Sequence, residues 1–448
     1  SEILQWNFQT TEYQPFRDVE KISGYNYTGA TWDYPKELYE LITYDPSIKA
    51  AAPTTDPTIF MEGGQTFFRN FWLNEPEDQF YLLYHSVPQA DNHDHSDTLS
   101  FILYAKNQMM ASDSGYTRSS YGDDIRYSYY RRPEAHNTIT FDDIPLGDFE
   151  ENKPNPSEDK LNTSFFDFEK KSAPFRRYLG ESLGGAKRSI AFIQDEYFLI
   201  LDEVKAQVLK GQKLDGKFDV YFHGGRSSLS SNENEFTWSY ENDRYGDDSK
   251  LITYQLSPGS EIEELQMEST YIKADYGVYP ALRTTKTGHE ALFGQILFPL
   301  GTGDGKPEIE DLSTEKLLGA QISTKHKTDI FLTSHSEKTS KKAGLEFNGD
   351  FAWISLDEND LKKAAGQSVK SFSYDETSIL SSDERITFAI KWDPIIELGV
   401  AVEKPTKITL NLGRRISSVT RNGKTIPCKR DGEAIIVTLS ESGNYFLK

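Results

Sequence analysis

Three of the chain's eight histidines lie close together in sequence: His93, His95 and His136. The first two stand in Asp91-Asn92-His93-Asp94-His95-Ser96-Asp97. They are two residues apart, so on an extended backbone both imidazoles project to the same side and can share one cleft. Downstream come Ser112-Asp113-Ser114-Gly115-Tyr116 and then Arg131-Arg132-Pro133-Glu134-Ala135-His136-Asn137-Thr138. Two imidazoles and one carboxylate make a usual shell for a catalytic-type zinc, with one position left open. A His-x-His pair is also common as plain polar surface on a strand, and so short a motif does not decide between the two. The other histidines carry less. His85 and His223 end strands and read as satisfied edge or core residues, although His223 could face a cleft; His289, His326 and His335 sit in polar surroundings and read as surface.

Strand phase constrains any shared site. If Lys106-Asn107 is a two-residue hairpin turn, Ala105 pairs with Gln108 and Asp113 falls opposite Ser100. Asp113 then lies on the face opposite His95. A bulge, or a strand that begins only after Ser96, must restore the phase if both are to meet one ion.

The elements that must position these residues read as strands. Short apolar or alternating runs at 80–84, 99–104, 190–193, 197–201 and 218–222 are bounded by Gly, Pro, Asn or Asp. Their spacing implies large antiparallel sheets packed face to face, punctuated by Gly184-Gly185 and Gly224-Gly225. Residues 147–160 are acidic and proline-bearing and read as a surface loop. A polar, helix-like stretch at 358–365 precedes strands at 386–392, 407–412 and 433–439, with an Asn422-Gly423 turn among them. The first 56 residues differ. Pro35 suits the first turn of a helix, with Leu38, Leu41 and Ile42 at helical spacing behind it. This segment reads either as the tail of a larger helical region or as an arm lying across the sandwich. The expected fold is mainly β: a large antiparallel β-sandwich over 57–365, a small C-terminal β domain over 366–448, and a short, partly helical N-terminal segment.

Composition agrees and excludes some functions. A chain of 448 residues is too long for one small core, so two or three domains are expected. The 25 Tyr and 27 Phe favour strands and sugar-binding surfaces over helical bundles. A net charge of −21 argues against non-specific nucleic-acid binding and means that an anionic substrate needs a locally basic cleft. The single cysteine, Cys428, excludes an intrachain disulfide and a multi-cysteine zinc site. No apolar run is long enough to span a membrane. The chain begins at Ser1 and is read as processed or truncated, so a missing leader carries no information on compartment.

The order of motifs resembles a known family. A Gly63-Gly64 pair and a strand bearing Arg69 come first. His93-Asp94-His95-Ser96-Asp97 follows before an apolar strand, and a second strand ends in Asp113-Ser114-Gly115-Tyr116. A Tyr/Arg-rich loop then leads into Arg131 to Thr138, and the stretch 188–204 follows. This is similar to the C-terminal half of heparinase II/III-like polysaccharide lyases, a group that includes alginate lyases. The specific motifs cover about residues 60–225. The resemblance implies a β-sandwich joined to an α/α toroid, a periplasmic or secreted location, and β-elimination on uronic-acid polysaccharides. It implies a zinc ion on His95, Asp113 and His136, and a catalytic role for His93. It also implies a proton-transfer tyrosine: Tyr121 fits by distance back from His136, and Tyr130 by distance forward from Asp113. In the family the toroid supplies further catalytic residues; here it is absent or reduced to residues 1–56, and no counterpart of those residues is found.

The chemistry fits the residue types. Elimination needs a base for the C5 proton, groups that neutralise the uronate carboxylate, and an acid for the leaving oxygen. Arg118, Arg126, Arg131 and Arg132 lie in the loop and could meet an anionic sugar bidentately, or could pair with Asp123, Asp124 and Glu134. Arg69 could reach substrate or be a solvated edge residue, and Asn137 could tie the backbone next to His136. The sequence therefore carries an expectation of the sandwich portion of a zinc-containing polysaccharide lyase, with an anionic polysaccharide and its own helical domain as partners. Two competing readings are a non-catalytic carbohydrate-binding module with a structural metal, and a uronate epimerase.

Overall fold

The computed structural model describes residues 53, 55–72, 78–87, 94–115, 124–147, 154–176, 180–240, 248–270, 276–334, 339–393 and 395–448. The helix expected behind Pro35 lies outside them. Strands make up about 64% of the structure and helix about 3%, so the protein is mainly β, as its sequence pattern requires. Among the described residues, all strand pairs are antiparallel and the larger sheets have five, eight, four and fifteen strands.

The five-stranded sheet runs in sequence order from Ile59–Phe60 through Gln65–Arg69, Phe80–His85 and Ser100–Ala105 to Gln108–Ala111. Its strand Phe80–His85 alternates buried and half-buried positions, the signature of a sheet with one face on a core. The four-stranded sheet places Ile139–Phe141 beside Gly216–His223, then Tyr276–Gly288, with Glu261–Thr270 at the edge. Both pack on one face of the eight-stranded sheet. Phe80 meets Phe192 and Phe198, Phe141 meets Phe175, and Phe222 meets Trp238 at 5.1 Å between ring centres.

The eight-stranded sheet is covered on its second face as well. In Tyr197–Ala206, Phe198 and Ile200 point into the front core, whereas Tyr197, Leu199 and Leu201 pack against Phe331, Phe351 and Trp353. Burial on both sides explains a continuous apolar run where a half-exposed strand would alternate. The back layer is the fifteen-stranded sheet formed from residues 308–447, which encloses a further core of its own.

Several expectations give way to packing. The helix-like stretch at 358–365 lies largely in the strand Asp360–Tyr374, entered by a tight turn at Glu358 and Asn359 with φ of 47° and 77°. Its Ala364 and Ala365 are buried between neighbouring strands, and that burial outweighs local helix propensity. The same strand runs through position 365, where a domain boundary was expected. Gly184 and Gly185 lie inside the strand Ser182–Ile193; a side chain at Gly184 would come within 2.1 Å of the Lys205 carbonyl. Part of the acidic loop, Ser157–Leu161, is an edge strand. His289 is buried, with Nδ1 3.1 Å from the Leu214 carbonyl, and is not a surface residue; His326 is exposed and His335 lies outside the described residues.

Candidate metal centre

The hairpin that carries Asp113 solves the phase problem in two ways. Lys106 and Asn107 form a two-residue turn with φ of 51° and 60°, the left-handed pair that suits the strand twist. Ala105 faces Gln108 and Tyr104 faces Met109, but Leu103 faces Ala111, so Met110 is an extra residue. That bulge shifts everything after it by one position. On the partner strand, Leu99 has φ of 60°, so the extended run begins only at Ser100 and does not reach back to His95. Thr98 anchors the bend: its hydroxyl donates to the Val87 carbonyl at 3.0 Å, and its own carbonyl accepts from the Thr138 hydroxyl at 2.6 Å.

His136 arrives from the other side through a short, irregular segment. Arg126–Tyr130 forms one π-helical turn, in which the Arg131 amide donates to the Arg126 carbonyl. Pro133 ends it, because the residue before a proline is driven out of helical geometry; Arg132 has φ −90° and ψ 154°. Pro133 then opens a single 3-10 turn, Pro133–Ala135. The result brings the Tyr130 carbonyl to 3.0 Å from Nε2 of His136.

Asn137 and Arg188 hold this arrangement to the core. The Asn137 amide donates to the carbonyls of Phe101 and Ser112, and its oxygen accepts from the backbone of His223. The Arg188 guanidinium, fully buried, makes a two-bond pair with Asp202 at 2.7 and 2.8 Å and donates to the carbonyls of Leu99 and Asn137. One cation thus fixes the backbone on both sides of the histidine cluster. Its role is invisible in sequence, where Arg188 stands out only as a charge in an apolar strand.

The donor atoms of His95, Asp113 and His136 all lie within 4.8 Å of one another. His136 is fully buried, with Nδ1 2.6 Å from Oδ2 of Asp113, and the rings of His95 and His136 are 5.1 Å apart. Burial disfavours charge on His136, but the adjacent Asp113 carboxylate overrides it and raises its pKa to about 9. Burial likewise opposes ionisation of Asp113, yet His136 holds it down to about 2. His95 is pushed down to about 4 by burial and by the positive charge of His136, so its ring is neutral. Nε2 of His136 faces a carbonyl and must donate. Its Nδ1 faces a carboxylate and therefore holds either a proton or a cation. A neutral imidazole, a carboxylate and an Nδ1 oriented by a carbonyl on the opposite ring nitrogen suit a divalent metal, with zinc the best match for this donor set.

The other expected site residues are spread more widely. His93, Tyr121 and Arg118 lie outside the described residues. Tyr130 is fully buried, and its hydroxyl donates to Oε2 of Glu268 at 2.8 Å. Tyr127, which spacing did not single out, is the exposed aromatic among the described residues of this loop, with the guanidinium carbons of Arg126 and Arg131 5.2 and 5.7 Å from its ring centre. Arg126 is buried; Arg131 donates to the Asp94 carbonyl; Arg132 pairs with Glu134, the partner named as its alternative. Arg69 pairs with Tyr81 at the start of Phe80–His85, whereas the strand that follows His95 begins at Ser100 opposite His85, at the far end. Arg69 therefore does not join the cluster; it donates to the Phe71 carbonyl and stacks near Trp72. His223 is buried next to the site, 3.0 Å from the Glu134 carbonyl, and burial lowers its pKa to about 4. A polar cavity of about 260 Å³, with Lys170, Asp350 and Gln367 in its wall, lies between the eight-stranded and C-terminal sheets and shares no residue with the cluster.

Residues 52–309, more than half of the chain, match the family "Heparinase II/III-like, C-terminal". The chain belongs to this family. The match ends where the fifteen-stranded sheet begins, at Glu308, and contains the whole histidine cluster. Among solved structures, a heparinase III gene product with methylated lysines superposes with a TM-score of 0.52 at 14% identity, covering 77% of this chain and 47% of that one. A mutant of the heparan sulfate lyase HepC from Pedobacter heparinus gives 0.51 at 18% identity, covering 78% and 48%. At these identities the likeness is one of fold. The chain spans about half the length of the solved structures it matches. No curated protein matches it in sequence. Among the described residues, no helix is long and apolar enough to cross a membrane.

Proposed function

We propose that this chain is the sandwich portion of a zinc-containing polysaccharide lyase that cleaves uronic-acid polysaccharides by β-elimination, in a periplasmic or secreted setting. The supporting observation is the His95, Asp113 and His136 donor set, gathered within 4.8 Å inside a heparinase II/III-like domain. Zinc held there would supply a fixed positive charge that organises the cleft wall. Asp113, with a side chain about one-third exposed, leaves that wall open on one side. Tyr127 is exposed, and the guanidinium carbons of Arg126 and Arg131 lie 5.2 and 5.7 Å from its ring centre, so it offers an aromatic surface near positive charge, which an anionic sugar ring requires in so acidic a protein.

In the reaction a base removes the C5 proton of the uronate, the electron pair forms the C4–C5 double bond, and the C4–O bond breaks as the leaving oxygen takes a proton. His93 and Tyr121 are the proposed proton-transfer groups. Tyr130 takes a supporting place, because its hydroxyl is already donated to Glu268. The relatives named as heparinase III and heparan sulfate lyase make a heparan-type chain the first substrate to try.

Two measurements test this. Elemental analysis of protein purified without added metal should find one zinc per chain. Incubation with a panel of uronate polysaccharides should give unsaturated product absorbing in the ultraviolet once a helical toroid domain is supplied, and little from the chain alone. Zinc without any product in either setting would favour a carbohydrate-binding module, and altered uronate stereochemistry without absorbance would favour an epimerase.

A further inference from the structure

The edge strand Glu261–Thr270 ends against the metal centre, and its last residues touch both sides of it. The Glu268 carbonyl accepts from the hydroxyl of Tyr129 at 2.5 Å and from that of Ser114 at 3.0 Å, and Ser114 directly follows Asp113. The Ser269 hydroxyl lies 3.4 Å from the Asp113 carbonyl and 3.3 Å from the Ser112 hydroxyl. The Glu268 carboxylate accepts from Tyr130, whose own carbonyl lies 3.0 Å from Nε2 of His136. The chain of contacts is therefore Glu268 carboxylate, Tyr130 hydroxyl, Tyr130 carbonyl, His136 imidazole, Asp113 carboxylate.

We propose that Glu268 is a positioning residue for the metal centre: by fixing Tyr130 it keeps the Tyr130 carbonyl on Nε2 of His136, so that Nδ1 is the nitrogen offered to the ion. This rests on the metal reading above and goes beyond it, since Glu268 lies more than 130 positions from His136 in sequence and is not itself a ligand. Partners that orient a ligating imidazole through its second nitrogen typically change metal affinity about 10–100-fold when removed. Tyr130 is fully buried, so its hydroxyl has no bulk water to substitute for the carboxylate.

Substituting the side chain leaves the bonds from Tyr129 and Ser114 in place, because they go to the Glu268 carbonyl and not its carboxylate. Zinc affinity is measured by competition with a chromophoric chelator. Glu268→Ala should weaken zinc about 10–100-fold. Tyr130→Phe should weaken it by a similar factor, and the double variant should be no weaker than either single one, since both break the same link. Glu268→Gln, whose amide oxygen can accept the same hydroxyl, should stay within a few-fold of the parent. Nitrogen NMR of the zinc-loaded proteins should show the His136 proton on Nε2 and the ion on Nδ1 in the parent, and a mixture of the two arrangements in Glu268→Ala. A folded Glu268→Ala that binds zinc as the parent does would overturn the proposal, as would effects that add fully in the double variant. If Glu268→Ala does not fold, parental affinity in Tyr130→Phe overturns it equally. A parent chain that binds no zinc at all sinks the metal reading itself, a different result from a parent that binds and variants that do not differ.

Discussion

Two buried charged clusters in this protein are built on opposite principles. Beneath the C-terminal sheet, Asp329 accepts from the Tyr197 hydroxyl at 2.7 Å and from Lys327 at 2.8 Å, while Lys327 also lies 2.7 Å from Glu196. Trp353 donates to the Tyr197 hydroxyl at 3.1 Å. That cluster carries its own permanent cation, and the two acids raise the Lys327 pKa above its ordinary value despite burial. It ties the eight-stranded sheet to the layer behind it with a cation of its own, although Oδ1 of Asp329 has no hydrogen-bond partner among the described residues. At the front, Asp113 sits between two imidazoles instead of beside a lysine. Imidazole can release its proton near neutral pH and offer the lone pair to a metal. The difference teaches that buried charge alone does not mark a site. A permanent cation closes a cluster, whereas a titratable one leaves it able to exchange a proton for an ion.

The largest expected effect breaks the front cluster and spares the rear one. His95→Ala combined with His136→Ala should remove bound zinc entirely, whereas Lys327→Met should leave one zinc per chain and only lower stability. Elemental analysis of both proteins reads this out; metal retained in the double histidine variant would discard the assignment. In a complete enzyme, His93→Ala should next remove most turnover while zinc content stays at one per chain. Near-normal formation of unsaturated product in that variant would show that His93 has no part in the reaction.

A third effect concerns the clamp that holds the front cluster. Arg188→Met strands Asp202 as a buried carboxylate without its ion-pair partner, which should cost about 3–5 kcal/mol of folding stability. Urea unfolding of the two proteins gives the difference directly, and a loss below about 1 kcal/mol would mean that Asp202 readily finds other partners.

The smallest effect distinguishes the clusters by pH. In the metal-free protein the His136 pKa is raised to about 9 from an ordinary value of 6.5. A group raised on folding contributes its full stabilisation below the unfolded pKa and loses it as pH rises through the folded one. Melting in the presence of a chelator should therefore weaken between about pH 6.5 and 9, by roughly 1–3 kcal/mol. His95 and His223, held near 4, are already neutral across that range, and Lys327 stays charged. With zinc present the trend should vanish or reverse, because loss of the His136 proton then favours the ion. A metal-free melting curve that is flat over this window would show that His136 is neutral when buried.

Much of the fold was legible because its signals are local. Alternation marked Phe80–His85, the Lys106-Asn107 dipeptide marked a tight turn, and Asn422-Gly423 marked another, found with φ of 49° and 75°. The site was legible in part. Residue types and their order pointed to His95, Asp113 and His136, and the phase argument correctly required a displaced register; the structure supplies both a bulge at Met110 and a late strand start after Leu99. The stretch 358–365 reads as helix because Lys, Ala and Leu carry helix propensity, and nothing within it reveals that the strand Asp360–Tyr374 is flanked by strands on both sides. Tyr127 and Tyr130 are three residues apart in one loop, yet one is exposed and the other fully buried; spacing to the histidines could not tell them apart.

Composition and periodicity, both local properties of the chain, were enough for a β-rich, acidic protein; the His/Asp set came from the order of its motifs and the family they resemble. The three stacked layers, the Arg188 clamp and the Glu268 contact belong to the tertiary structure alone. Each joins residues dozens to more than a hundred positions apart, and burial at such separations depends on which sheet faces meet, a choice that no short window of sequence contains.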